Sequence, residues 1–143
     1  MSERGEVRFI GVVESAGETE ARVQIFQEFC DGLKGIKGFS HIIILYWLHL
    51  RDREEERRTL QVFPRRHTVD VKVGVFACRS PTRPNPIGLC VAELLKVEGC
   101  TLTVKGLDAL EGSPIIDIKP YIPRADSIPG AHVPEWTLRG PKT

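Results

Sequence analysis

The sequence has no segment long and apolar enough to span a bilayer as a helix, because its longest apolar run, residues 42–48, falls far short of the roughly 20 residues required. It also lacks an excess of either charge: 20 Lys and Arg stand against 19 Asp and Glu. Diffuse attraction to phosphate therefore gives nucleic-acid binding little support, and any such contact must come from local clusters, here residues 51–58 and Arg65, Arg66 and His67. The four cysteines, Cys30, Cys78, Cys90 and Cys100, contain no Cys-x-x-Cys pair, which is not zinc spacing. No basic region followed by an apolar stretch opens the chain, so no secretory signal is read. The expectation is a cytoplasmic protein with reduced, mostly buried thiols, although spacing alone leaves a disulfide open. There is no Gly-x-Gly-x-x-Gly, no P-loop, no Ser-His-Asp arrangement and no metal cluster. A Rossmann nucleotide site, NTP hydrolysis, serine hydrolysis and metal catalysis are accordingly not favoured.

What is present fits one soluble globular domain over residues 1–143, with 41% apolar and 27% charged residues. A chain of this size buries about two thirds of its extended surface. Strand signals fall at residues 7–13, 21–26, 42–48, 59–63, 72–77, 88–97 and 101–104. Residues 42–48, β-branched and aromatic throughout, suit a strand covered on both faces. Phe29, Leu33 and Ile36 allow one or two helical turns, limited by Gly32, Gly35 and Gly38. From Ile115 onward the tail reads as Pro-rich and extended. About seven short strands with few helical patterns predict a mainly β protein, an antiparallel barrel or sandwich with one or two short helices.

Four groups of residues exceed what packing requires. The loop within residues 79–88 holds Arg79, Arg83 and Asn85 among three prolines, and guanidinium forks match carboxylate or phosphate geometry. Residues 107–114 form an acidic turn, followed by Asp117, Lys119 and Tyr121; Asp117 alternates with isoleucines and can pair with Lys119. His41 and His49 bracket the long apolar strand, placed either to cap it or to meet a ligand. Residues 121–129 form an extended tail segment suited to cover a site or an interface.

The strings Gly-Val-Phe-Ala-Cys-Arg-Ser-Pro-Thr-Arg-Pro-Asn-Pro-Ile-Gly-Leu and Glu-Gly-Ser-Pro-Ile-Ile-Asp-Ile-Lys-Pro-Tyr-Ile-Pro, with Gly-Phe-Ser-His before the long strand, resemble the TsaA-like (TrmO) family from about Phe9 to Pro129. The resemblance implies a single-sheeted β-barrel acting as a homodimer. It implies an S-adenosyl-L-methionine-dependent methyltransferase acting on N6 of threonylcarbamoyladenosine next to the anticodon of tRNA, threonine tRNA in particular. By motif position it assigns Leu48, His49, Arg79, Leu89, Leu107, Asp108, Ala109 and Leu110 to the cofactor. Arg83, Asn85, Lys119 and Tyr121 fall to the substrate, and no metal or membrane is implied. Asp108, Asp117 and His49 are the candidate catalytic bases. Two departures stand out: residues 13–19 lack the Pro-Arg-Gln associated with cofactor binding in the family, and Ala-Cys-Arg replaces Ala-Thr-Arg. Methylation of another RNA or a small molecule, and a non-catalytic dimeric nucleotide-binding module, are the alternative readings.

Overall fold

Alternation of apolar and polar side chains decides the barrel. In a computed structural model, which describes residues 3–64, 67 and 70–140, the strands are β1 (Gly11–Ala16), β2 (Ala21–Ile25), β3 (His41–Trp47), β4 (Gln61–Val62), β5 (Val73–Gly74), β6 (Ile87–Glu98), β7 (Thr101–Lys105) and β8 (Pro114–Pro120). Along β2, Ala21, Val23 and Ile25 turn inward between Arg22 and Gln24, the two-residue period of a strand with one buried face. Along β3, Ile42, Ile44 and Tyr46 do the same. Six strands close a barrel in the order β1-β2-β7-β6-β3-β8, every neighbouring pair antiparallel, with β8 hydrogen-bonded to both β3 and β1. Closure removes the exposed edges that an open sheet of this size would present. β4 and β5 pair separately as a two-stranded ribbon.

The chain divides into two compact units. The barrel unit comprises Met1–His49 and Ile87–Pro123, and the second unit comprises Leu50–Pro86 and Arg124–Thr143. The barrel core is aliphatic, built from Val13, Val23, Ile25, Ile42, Ile44, Leu102, Val104 and Ile115. Full burial of each such side chain contributes about 1.5–3 kcal/mol.

The fold agrees with the expected mainly β barrel, with six strands in the barrel itself. Several local expectations are corrected. Residues 72–77 form only the two residues of β5 before the chain turns into a 3-10 helix, Val75–Ala77. Its partner β4 stops at Val62 because Pro64 follows and has no amide to donate. The start of the tail is not loose: Pro114–Pro120 is the strand that closes the barrel, its prolines at the two ends of the strand. The run 42–48 is covered on one face only; Ile43, Leu45 and Trp47 stay partly exposed on the other. The thiols are not all reduced, since Cys30 is disulfide-bonded to Cys100 with their Cα atoms 5.4 Å apart, and Cys78 and Cys90, outside any disulfide, are only half-buried. Arg65 and Arg66 of the basic cluster lie outside the described residues.

One glycine is fixed by its neighbour. Gly88 pairs with Tyr46 across β3 and β6, and a Cβ at that position would stand 2.5 Å from two ring carbons of Tyr46. Only a residue without a side chain leaves Tyr46 its inward position. Gly88→Ala is therefore expected to lower stability by about 1–3 kcal/mol through overpacking. Denaturant titration checks this, and an unchanged midpoint contradicts it.

Candidate functional site

Tyr46 is a tyrosine in a core-facing register otherwise filled by isoleucine, and a buried phenol needs a partner for its hydroxyl. The hydroxyl donates to the backbone carbonyl of Asp108, which fastens the 107–110 loop to the barrel. In that loop Leu107 and Ala109 pack against the core, while Asp108 and Leu110 face outward, Leu110 with 61% of its surface exposed. The Leu110 carbonyl accepts from the Ser113 amide at 3.0 Å, closing the turn. β3 ends at Trp47, so Leu48 and His49 lie at the same end of that strand as Tyr46 and the loop it holds. Leu48 packs partly against the core. Leu89 pairs with Leu45 and points outward, half-exposed at 50%.

The same outer face carries Asp117. It pairs with Leu45 on the side opposite Leu89, so Asp117, Leu45 and Leu89 form a row across β8, β3 and β6. Asp117 Oδ1 accepts from the Ile118 amide at 2.9 Å and Oδ2 is 3.3 Å from Lys119 Nζ. The pairing of Asp117 with Lys119 read in the sequence is thus present. Tyr121 lies elsewhere: its amide donates to the His41 carbonyl at 3.1 Å, and its ring meets the His41 ring edge-on at 6.4 Å. His41 and Trp47 terminate the seven-residue β3, so Tyr121 and His49 belong to opposite ends of a strand roughly 20 Å long.

The second unit holds Arg79, Arg83 and Asn85. Three prolines stiffen their loop, and two arginines staple it. Arg83 Nη1 donates to the carbonyls of Cys78 (3.3 Å) and Ser80 (2.9 Å). Arg57 donates from Nε to the Pro84 carbonyl at 2.7 Å and from Nη2 to Asn85 Oδ1 at 3.3 Å, while its Nη1 meets Asp52 at 3.0 Å. Arg79 makes no hydrogen bond or ion pair among the described residues. Below the loop is a cavity of about 530 Å³ whose walls include Arg51, Phe63, His67, Lys72, Arg79 and Ser80. Glu56 orders part of its rim, accepting from Arg51 Nη1 at 2.9 Å and from the Thr82 hydroxyl at 3.1 Å. The hydrogen bond from Arg51 chiefly holds the Glu56 carboxyl below the usual carboxylate range; the Thr82 hydroxyl and the charges of Arg51 and Arg53 add to this, and partial desolvation opposes it. His67 is buried; its Nδ1 donates to the Arg139 carbonyl at 2.7 Å and its ring stands edge-on to Trp136 at 5.2 Å. A carbonyl only accepts, so Nδ1 carries the hydrogen.

The barrel therefore brings Leu48, His49 and residues 107–110 to one end of β3, with Leu89 and Asp117 in the outward row through Leu45 and Tyr121 at the far end. A larger cavity of about 750 Å³, beside Cys30 and Lys34, holds none of the predicted residues. Sequence reasoning missed Tyr46, Gly88, Arg57 and Glu56. Tyr46 had a signal, since it is the one residue with a polar tip in the inward register of its strand. Arg57 had none, because its run reads as an ordinary solvated face. Among the described residues no group of three or more His, Cys, Asp or Glu is placed to hold a metal, and no helix is long and apolar enough to cross a membrane.

Comparison with known proteins bears on the same residues. The chain is 47% identical over 135 residues to a probable S-adenosyl-L-methionine-binding protein of Methanothermobacter thermautotrophicus, covering 85% of this chain and 93% of the relative. It is 37% identical over 125 residues to the tRNA (adenine(37)-N6)-methyltransferase of Escherichia coli, covering 85% of this chain but about half, 52%, of that enzyme. The crystal structure of TrmO from Pseudomonas aeruginosa superposes with a TM-score of 0.73 at 26% identity, over 94% of this chain and 62% of that one. The family model for the tRNA-methyltransferase O N-terminal domain matches residues 13–127, a span that includes all six barrel strands from within β1 onward, Tyr46 and the loop it holds, and the arginine-bearing loop. On these grounds the chain belongs to the tRNA-methyltransferase O N-terminal domain family.

Proposed function

We propose that the protein is an S-adenosyl-L-methionine-dependent methyltransferase that acts on N6 of threonylcarbamoyladenosine next to the anticodon of tRNA, threonine tRNA in particular. We treat residues 1–143 as one functional domain. Besides family membership, the observation that carries the reading is the 107–110 loop, held by Tyr46 at the end of the barrel that also bears Leu48 and His49. This residue set fits the cofactor. Leu107, Ala109 and Leu48 give apolar surface for an adenine, and the outward Asp108 carboxylate suits ribose hydroxyls or an ammonium group. Leu89 and Leu110 extend the apolar surface.

The bound cofactor supplies a methyl group on a sulfonium, whose sulfur departs as a neutral thioether. The chain has to hold the acceptor nitrogen in line with that methyl and keep water away, which makes positioning its main contribution. The acceptor nitrogen bears a carbamoyl group that withdraws its lone pair, so its proton has to be accepted as the new N–C bond forms. His49 is assigned this role. It shares the end of β3 with the cofactor residues and makes no hydrogen bond among the described residues, whereas Asp117 commits both oxygens to the Ile118 amide and Lys119. Arg83 and Asn85 act by fixing the loop, and Lys119 and Tyr121 take no part in this mechanism. The tight β1–β2 turn, closed by the Gly17 amide on the Glu20 carbonyl at 2.8 Å, leaves no room there for a Pro-Arg-Gln loop. That observation favours one second reading, the same transfer to a different RNA.

The reading includes a cytoplasmic homodimer. Supporting the dimer is an apolar stripe on the outside of the barrel, where Ile43, Leu45 and Trp47 of β3 face Val91, Leu89 and Ile87 of β6. Three aligned apolar pairs on an outward face exceed what a solvated sheet carries. Intracellular disulfides occur in proteins of hyperthermophiles, so the Cys30–Cys100 pair does not exclude the cytoplasm.

Two outcomes are expected. Calorimetric titration of the wild type with S-adenosylmethionine gives micromolar affinity at one site per chain. No binding by the wild type contradicts the function. Val91→Glu, placing a charge in the stripe, converts the protein to a monomer by sedimentation. A monomeric wild type, or a variant that stays dimeric, contradicts the assigned interface.

A further inference from the structure

We propose that the cavity of the second unit is a nucleotide subsite for the RNA acceptor, holding a phosphate at Lys72 and Arg79 and a base against Phe63. The inference rests on the methyltransferase reading and adds to it where the RNA is gripped. Lys72 and Arg79 face the cavity, and neither has a carboxylate partner among the described residues. That sets them apart from Arg51, Arg53 and Arg57, each of which is paired with Glu56 or Asp52. Among the described residues no Asp or Glu lines the cavity, so an anion entering it meets no carboxylate there.

The aromatic wall selects among anions. The Lys72 ammonium stands 5.8 Å from the centroid of the Phe63 ring, and Phe63 is 42% exposed. An exposed aromatic face beside a cation matches a base next to its own phosphate, the pairing by which single-stranded nucleic acid is held. Ser80 accepts from the Thr82 amide at 3.1 Å, fixing its hydroxyl on the cavity wall. His67, also on the cavity wall, is held by the Arg139 carbonyl and by the Trp136 ring. A cavity of about 530 Å³ falls within the range that accepts a small ligand. The near-neutral chain therefore needs no broad basic surface: a preorganised pocket replaces it.

The test uses Lys72→Ala and Phe63→Ala, both at exposed positions outside the assigned cofactor residues. Full-length wild type and variants are titrated with an anticodon stem-loop RNA of threonine tRNA, with adenosine 5′-monophosphate and with S-adenosylmethionine. Each variant is expected to bind the stem-loop about tenfold more weakly. Lys72→Ala should also reduce the salt slope by about one, whereas Phe63→Ala should leave it intact. Cofactor affinity stays at the wild-type value in both, which shows that they are folded. Unchanged stem-loop affinity in both variants with normal cofactor binding overturns the subsite while leaving the methyltransferase reading in place. Monophosphate binding as tight as that of the stem-loop also overturns it, in favour of a free-nucleotide pocket. Wild-type protein that binds no cofactor overturns the underlying reading instead.

Discussion

The hydrogen bond from the Tyr46 hydroxyl to the Asp108 carbonyl joins a buried strand to the loop on which the proposed chemistry depends. It requires several things at once. Tyr46 must lie in the inward register of β3, which the alternation with Ile42 and Ile44 provides. Gly88 must stand opposite, because any side chain there collides with the ring. β8 must pair with both β3 and β1 so that the sheet closes and the loop before it is brought back to Tyr46. Loss of any one removes this tie on a loop whose Leu107 and Ala109 also pack against the core. A phenol is suited to this post because its ring fills core volume while its tip donates to the Asp108 carbonyl.

Charge is used sparingly around that frame. Most arginines of the 51–58 run are internally paired or spent on loop carbonyls, Arg57 on Pro84 and Arg51 on Glu56. Arg83 turns back on its own loop. Arg79 and Lys72, which have no carboxylate partner among the described residues, line a walled cavity. This accounts for an RNA-directed protein with a formal charge of only +1: field is concentrated locally instead of spread over the surface. The outer stripe of β3 and β6 is the apolar counterpart, a surface suited to a second copy of the chain.

The strands whose sequence alternates or runs apolar were legible: β2, β3, β6 and β7 lie where the period put them. β8 was not, because the prolines at its ends signal loop and the pattern Ile115-Ile116-Asp117-Ile118 is broken by a bulge opposite Leu45 and Tyr46. β5 was overestimated, since nothing local in residues 72–77 reveals that its partner stops before Pro64. The disulfide joins residues 70 apart, a separation at which spacing carries no information. Of the candidate site, Arg79, Leu89 and residues 107–110 could be named from motif strings, but Tyr46, Gly88 and Arg57 act through contacts that only the folded chain reveals. The contacts of Arg83 with the Cys78 and Ser80 carbonyls and of Asn85 with Arg57 carry no signal in the sequence.

The central claim is methyl transfer to a carbamoylated adenosine, and nucleoside mass spectrometry tests it most directly. Threonine tRNA carrying threonylcarbamoyladenosine is incubated with the wild-type protein and S-adenosylmethionine bearing a deuterated methyl group, then digested to nucleosides. The expected product is a threonylcarbamoyladenosine heavier by one deuterated methyl, with the label retained on N6 on fragmentation. Unaltered threonylcarbamoyladenosine at saturating cofactor, from protein shown to bind that cofactor, would contradict it.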